Sequence, residues 1–164
     1  MTKILQLAEL KRKIDSDRGY GLKHKIAFTN GCFDIIHAGH VKYLEAIKKI
    51  LGENDWLIVG INSDNSVKQI KGKNRPIIPQ DLRATVVAGM KVVDMVIIFN
   101  ELTPEKLIKE IKPNYLIKGD DWDAKDIIGK NFVESYGGEV LRISFEVDIS
   151  TSKIIESIRK KYGS

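Results

Sequence analysis

Lys25-Ile26-Ala27-Phe28-Thr29-Asn30-Gly31-Cys32-Phe33-Asp34-Ile35-Ile36-His37-Ala38-Gly39-His40 opens as an apolar run, crosses a glycine turn and ends where a new periodicity starts. Val41, Leu44, Ile47 and Leu51 follow at helical spacing, and Gly52 marks where that helix stops. A short buried strand that feeds straight into an amphipathic helix is the start of a strand–helix–strand unit.

The same alternation continues along the chain. Strand-like runs lie at Lys25–Thr29, Trp56–Ile61, Met95–Phe99, Tyr115–Lys118 and Glu139–Ile143, several of them apolar almost throughout. Between them, Leu82, Val86 and Met90 make one helical stripe. Thr103 as N-cap, Pro104 at the first helical position and Leu107, Ile108 and Ile111 make another, which Pro113 ends. Five strands alternating with helices predict an α/β domain: a Rossmann-like sandwich with a five-stranded, mainly parallel sheet and helices on both faces. An N-terminal helix over residues 2–17 and a connection make up residues 1–24, the Rossmann-like core fills 25–164, and the whole is expected to be one domain. The polar stretch Lys68–Pro79 holds two of the four prolines and reads as a long functional loop.

The chain has 164 residues, 30% of them charged, with a formal net charge of +5, which suits an anionic ligand. The cations fall near the suspected phosphate loops, not along one stripe with interleaved aromatics, so a nucleic acid partner is not expected. No apolar run reaches the roughly 20 residues of a membrane helix, and the first residues lack the apolar stretch of a secretion signal. A cytoplasmic protein without membrane contact is expected. Cys32 is the single cysteine, so no internal disulfide and no cysteine zinc cluster forms.

In such sheets ligands sit beyond the carboxyl ends of the strands. After the first strand, His37 and His40 stand three apart at a helix start, where free N–H groups and the helix dipole already favour an anion. Gly31 allows close backbone approach, and Gly39 removes a side chain between the histidines. A bare His-x-Gly-His is weak evidence alone; its place at the first strand-to-helix turn gives it weight. Near the end, Ile149-Ser150-Thr151-Ser152 precedes another apolar helix face, with Ser150 as its N-cap. Three hydroxyls there serve as simple capping, or as a second helix N-terminus for phosphates. Asn62-Ser63-Asp64 after the second strand leads into Lys68, Lys71, Lys73 and Arg75, either a solvated segment or cations that close over a triphosphate. Lys118-Gly119-Asp120-Asp121-Trp122 follows the fourth strand, where the acid pair bonds a ribose, binds metal or caps a helix.

Together these stretches resemble the cytidylyltransferase-like nucleotidyltransferase superfamily, with its His-x-Gly-His and Ile-Ser-Thr-[Thr/Ser] motifs. Phe28 to Asp34, Gly60 to Asp64, Arg75 to Pro79 and Glu134 to Gly138 look most like the D-glycero-D-manno-heptose 1-phosphate adenylyltransferases. The resemblance implies transfer of AMP from ATP to a heptose 1-phosphate, with Mg²⁺ present and pyrophosphate released. The product, ADP-heptose, feeds lipopolysaccharide core or surface glycan synthesis. By the same resemblance His37 and His40 stabilise the transition state, and Lys71 or Lys73 neutralises the leaving pyrophosphate. Thr29, Asn30, Gly31, Cys32, Phe33, Gly39, Gly119, Asp120, Ile149, Ser150, Thr151 and Ser152 are expected at the nucleotide. Asp34, Asn62, Arg75 and Arg83 are expected on the acceptor side. Asp148 departs from the family, which usually has glycine there. A homo-oligomer, a dimer by preference, is expected, and the metal ligands are left open. So is a cytidylyltransferase that uses CTP and a glycerol or other alcohol phosphate.

Overall fold

The computed structural model describes residues 3–21, 24–120, 123, 126–144 and 147–163. It is an α/β/α sandwich around a five-stranded sheet: β1 (Ile26–Gly31), β2 (Trp56–Asn62), β3 (Met95–Phe99), β4 (Tyr115–Gly119) and β5 (Glu139–Ile143). The strand order is β3-β2-β1-β4-β5, and every pair is parallel. The order reverses at β1, so the switch point lies between β1 and β4.

Alternation along each strand builds two cores. Ile26 and Phe28 of β1, Ile58 of β2, Met95 and Ile97 of β3 and Leu116 of β4 face one side. There they meet Leu10 and Ile14 of α1 (Leu7–Gly19) and Leu107, Ile108 and Ile111 of α5 (Glu105–Ile111). Ala27, Leu57, Val59, Val96 and Ile117 face the other side. They pack on Tyr43, Leu44 and Ile47 of α2 (Ala38–Ile50) and on Ala84 and Val87 of α4 (Gln80–Ala88). A sheet covered on both faces needs strands apolar on both sides, which is why the runs lack polar alternation.

Four sequence expectations change. The N-terminal helix begins at Leu7, because residues 3–5 run beside β3 instead, with Leu5 N–H donating to Val96 O and Val96 N–H to Lys3 O. Residues 64–71 form α3 (Asp64–Lys71), so the expected loop starts only at Gly72; the Ser63 hydroxyl caps α3 by accepting from Ser66 N–H at 3.2 Å. The α5 helix starts at Glu105, and Pro104, not Thr103, stands at its N-cap. The stripe on α4 is inverted: Leu82 and Val86 are exposed, and the buried face carries Arg83, Ala84 and Val87.

Leu44 is fully buried, whereas Leu82 keeps 57% of its surface exposed. Leu44→Ala is expected to cost about 2–5 kcal/mol in urea denaturation, and Leu82→Ala less than about 0.5 kcal/mol. Equal losses would mean that the α4 helix is turned the other way.

Candidate active site

β1 and β2 stay paired to their ends, from Ile26↔Trp56 to Gly31↔Ile61. β1 and β4 pair only at Ala27↔Tyr115 and Phe28↔Leu116, and beyond them the strands part. A cleft of about 820 Å³ opens there, within the range of small-molecule sites. Its wall includes Asn30 to Asp34, His37, His40, Asn62, Lys71, Arg75 and residues 147–152.

The turn after β1 is wired by its neighbours. Phe33 adopts a positive φ of 47°, which carries the chain from the strand toward α2. Asp34 is buried and accepts N–H bonds from Ile77 (2.9 Å) and Ile78 (2.8 Å) and an ion pair from Arg75 at 2.5 Å. Burial opposes ionisation of this carboxyl, yet the Ile78 and Ile77 amides and Arg75 outweigh it and hold its pKa below the ordinary value. From the other side Arg83, with no exposed surface, donates to Ile78 O (2.9 Å), Cys32 O, Asn62 O (2.8 Å) and the Asp64 carboxylate (2.8 Å). Burial raises the Cys32 pKa, against the pull of Lys71, Arg83 and Arg75, so the thiol stays protonated at neutral pH.

His37 caps α2, and its ring lies 3.9 Å, centroid to centroid, from that of His40. His40 Nδ1 accepts the His37 backbone N–H at 3.4 Å, which leaves Nε2 as the protonated nitrogen. His37 Nδ1 is buried with no hydrogen-bond partner among the described residues. Burial lowers the pKa of His37; burial and the neighbouring His37 bring His40 down to about 4. Both rings are therefore neutral hydrogen-bond donors at neutral pH.

The opposite wall is the start of α7 (Thr151–Tyr162), where the Ser150 hydroxyl accepts from Lys153 N–H at 3.2 Å. The Thr151 hydroxyl reaches Ile35 O at 3.5 Å, so this helix start sits against the β1–α2 segment. Gly39 makes that contact possible: a Cβ there would stand 3.0 Å from His37 Nδ1 and 3.3 Å from Ile149 Cγ2. Asp148 pairs with Lys153, and its carboxylate side chain is 93% exposed, so its charge is turned to solvent.

Several expected site residues are not on the cleft wall. Thr29 is buried, its hydroxyl 2.9 Å from that of Tyr43. Gly39 is packed as described, Arg83 is enclosed, and Lys73, Gly119 and Asp120 are absent from the lining. Asp121 and Trp122 lie outside the described residues. Sequence reasoning quoted Lys118 but gave it no role; it is buried, lines the cleft and donates to Asn30 Oδ1. A lysine closing an apolar strand beside the switch point was the available signal.

With this geometry in place, the model of the family described as cytidylyltransferase-like matches residues 28–157. The chain belongs to the cytidylyltransferase-like family. Curated relatives include Bifunctional protein HldE from Alcanivorax borkumensis, 45% identical over 158 residues, 96% of this chain and 32% of the relative. The same-named protein of Hahella chejuensis is 46% identical over 156 residues, 95% of this chain and 32% of the relative. The chain thus spans about a third of the length of the curated relatives it matches. Among solved structures, the lipopolysaccharide core biosynthesis protein from Thermoplasma volcanium superposes with a TM-score of 0.60 at 26% identity. That match covers 74% of this chain and 96% of the other.

His40 carries a folded-state pKa of about 4 against an ordinary 6.5. Between these values the unfolded chain binds the extra proton, so stability rises with pH across that window and is lost as pH falls toward 4. Urea titrations are expected to show this slope from pH 6.5 downward in the wild type and a shallower one in His40→Gln. Equal slopes would place the His40 ring in water.

Proposed function

We propose that this domain transfers AMP from ATP to a heptose 1-phosphate, releasing pyrophosphate and forming the ADP-heptose used in lipopolysaccharide precursor synthesis. The observation that carries the reading is the His37–His40 pair at the start of α2, facing residues 149–152 across one cleft at the switch point. Similarity to HldE proteins along nearly the whole chain and to a lipopolysaccharide core protein supports the acceptor class.

The acceptor's phosphate oxygen is already ionised at neutral pH and attacks the α-phosphorus without a general base. The protein's task is to bring two polyanions together and to stabilise charge that grows on the α-phosphate and the leaving pyrophosphate. His37 and His40 supply preorganised N–H donors, and the starts of α2 and α7 add backbone N–H groups. A phosphate drawn against the imidazoles raises their pKa values, so binding strengthens the donors it meets. Lys71 and Arg75 lie on the β2 side of the cleft, where outer phosphates or the acceptor phosphate need cations. Mg²⁺ accompanies ATP in this reading. Among the described residues no group of three His, Cys, Asp or Glu is placed to hold a metal. The ion would ride on the nucleotide's phosphates, and none of the steps above passes through it.

The direct test is pyrophosphate release with four nucleoside triphosphates against a panel of sugar and polyol phosphates. ATP with a heptose 1-phosphate is expected to give the highest kcat/KM. If CTP outperforms ATP with every acceptor, the cytidylyl reading replaces this one.

A second prediction separates the two lysines, since Lys71 lines the cleft and Lys73 does not. Lys71→Ala is expected to lower kcat by about tenfold or more, because it loses one charged contact to phosphate, while Lys73→Ala stays within about twofold. A larger loss at Lys73 in steady-state assays would show that the 72–79 segment moves its second lysine into the site on binding.

A further inference from the structure

The mechanism above leaves one buried titratable group of the cleft without a task. Lys118 is the fourth residue of β4, shares a face with Leu116, and is 6% exposed. Phe28↔Leu116 is the last backbone pair of β1 and β4; one step on in the same register and on the same face come Asn30 and Lys118. There the ladder has stopped, and a side-chain bond from Lys118 Nζ to Asn30 Oδ1 spans the gap instead. The ammonium is thus fixed in the floor of the switch point, on the wall of the cleft.

Its charge complements what the rest of the cleft provides. The two histidines are neutral at neutral pH and offer hydrogen bonds without charge. Arg75 is engaged by Asp34, and Lys71 lies at the end of α3, both on the β2 side. Across the sheet edge, Val147 and Ile149 follow β5, Lys118 is the last residue but one of β4, Asn30 the last but one of β1, and Asn62 ends β2. Lys118 stands between Val147 and Ile149, apolar side chains that suit a base, and the cations of the β2 side. A nucleotide laid along this edge brings its α-phosphate, the phosphate next to the nucleoside, over that position.

We propose that Lys118 is the cation that contacts the α-phosphate of the bound nucleotide and neutralises the charge that builds there during transfer. The inference rests on the adenylyl-transfer reading, so its test uses binding as well as turnover. AMP and adenosine differ by the α-phosphate alone, and the ratio of their affinities, measured by calorimetry, reports how strongly the site holds that group. Lys118→Gln keeps a donor for Asn30 and removes the charge; Lys118→Met removes both; Lys118→Arg keeps the charge. In folded Lys118→Gln and Lys118→Met the AMP-to-adenosine affinity ratio is expected to fall by about tenfold or more, and kcat by a similar factor or more. Lys118→Arg is expected to retain most of the ratio. An unchanged ratio in folded Lys118→Gln overturns the proposal even if turnover drops, because the lysine then acts only through Asn30. A wild-type protein that binds AMP over adenosine but releases no pyrophosphate with any acceptor refutes the adenylyl-transfer reading and leaves the ratio test of Lys118 standing.

Discussion

A fully enclosed guanidinium fixes the geometry of this site. Arg83 donates to Cys32 O at the turn after β1, to Asn62 O at the end of β2, to Asp64 at the start of α3 and to Ile78 O in the following loop. Taking an arginine out of water is tolerated only when its donors find acceptors, and removing it would strand three carbonyls and a carboxylate. The arrangement joins segments up to 51 residues apart in sequence through one planar group. Asp34 completes it from the other side, accepting two amides of the loop whose Ile78 carbonyl Arg83 holds. Lys71 and Arg75 inherit their places from this pair of clamps.

The histidine pair follows from a second constraint. Two imidazoles 3.9 Å apart and partly withdrawn from water cannot both be charged without mutual repulsion. Holding them neutral lets the tilted rings pack together, lets His40 Nδ1 accept the His37 backbone N–H, and leaves Nε2 as the protonated nitrogen. Charge is then available only where a phosphate can induce it. The α7 start is held differently: the helix buries none of its own residues and meets the core through the Thr151–Ile35 contact and the Ile149–Gly39 packing. One wall of the cleft is wired by charge, the other by a shallow contact at a glycine.

What the sequence showed and what it hid divide along physical lines. The strands were legible because a sheet buried on both faces leaves continuous apolar runs, and the α2 stripe was legible because Leu44 and Ile47 are apolar and buried. The α4 face was misjudged for a definite reason: its inward group is Arg83, which any hydrophobicity pattern counts as outward. Leu82 and Val86 then look like the core face although they are exposed. The α3 helix was missed because it buries only Ser66 and Val67, too few apolar positions to set a period. The turn from Asn30 to Asp34, both histidines and residues 149–152, singled out from the sequence, line one cleft. Thr29 and Arg83 were expected at ligands by resemblance alone, and their burial with internal partners cannot be seen in a sequence.

Two acids among the described residues of the cleft wall need a physical account. Asp34 is ionised, yet its oxygens are covered by Arg75 and two backbone amides, and its side chain has no exposed surface. Its charge is spent on holding the 75–78 segment. Asp148 has its carboxylate turned to solvent against Lys153. An exposed charge with a cation beside it is screened within a few ångströms, so it adds little repulsion at the α7 start. Among the described residues of the wall, Lys71, Arg75 and Lys118 stand beside these two acids, a balance that suits an anion.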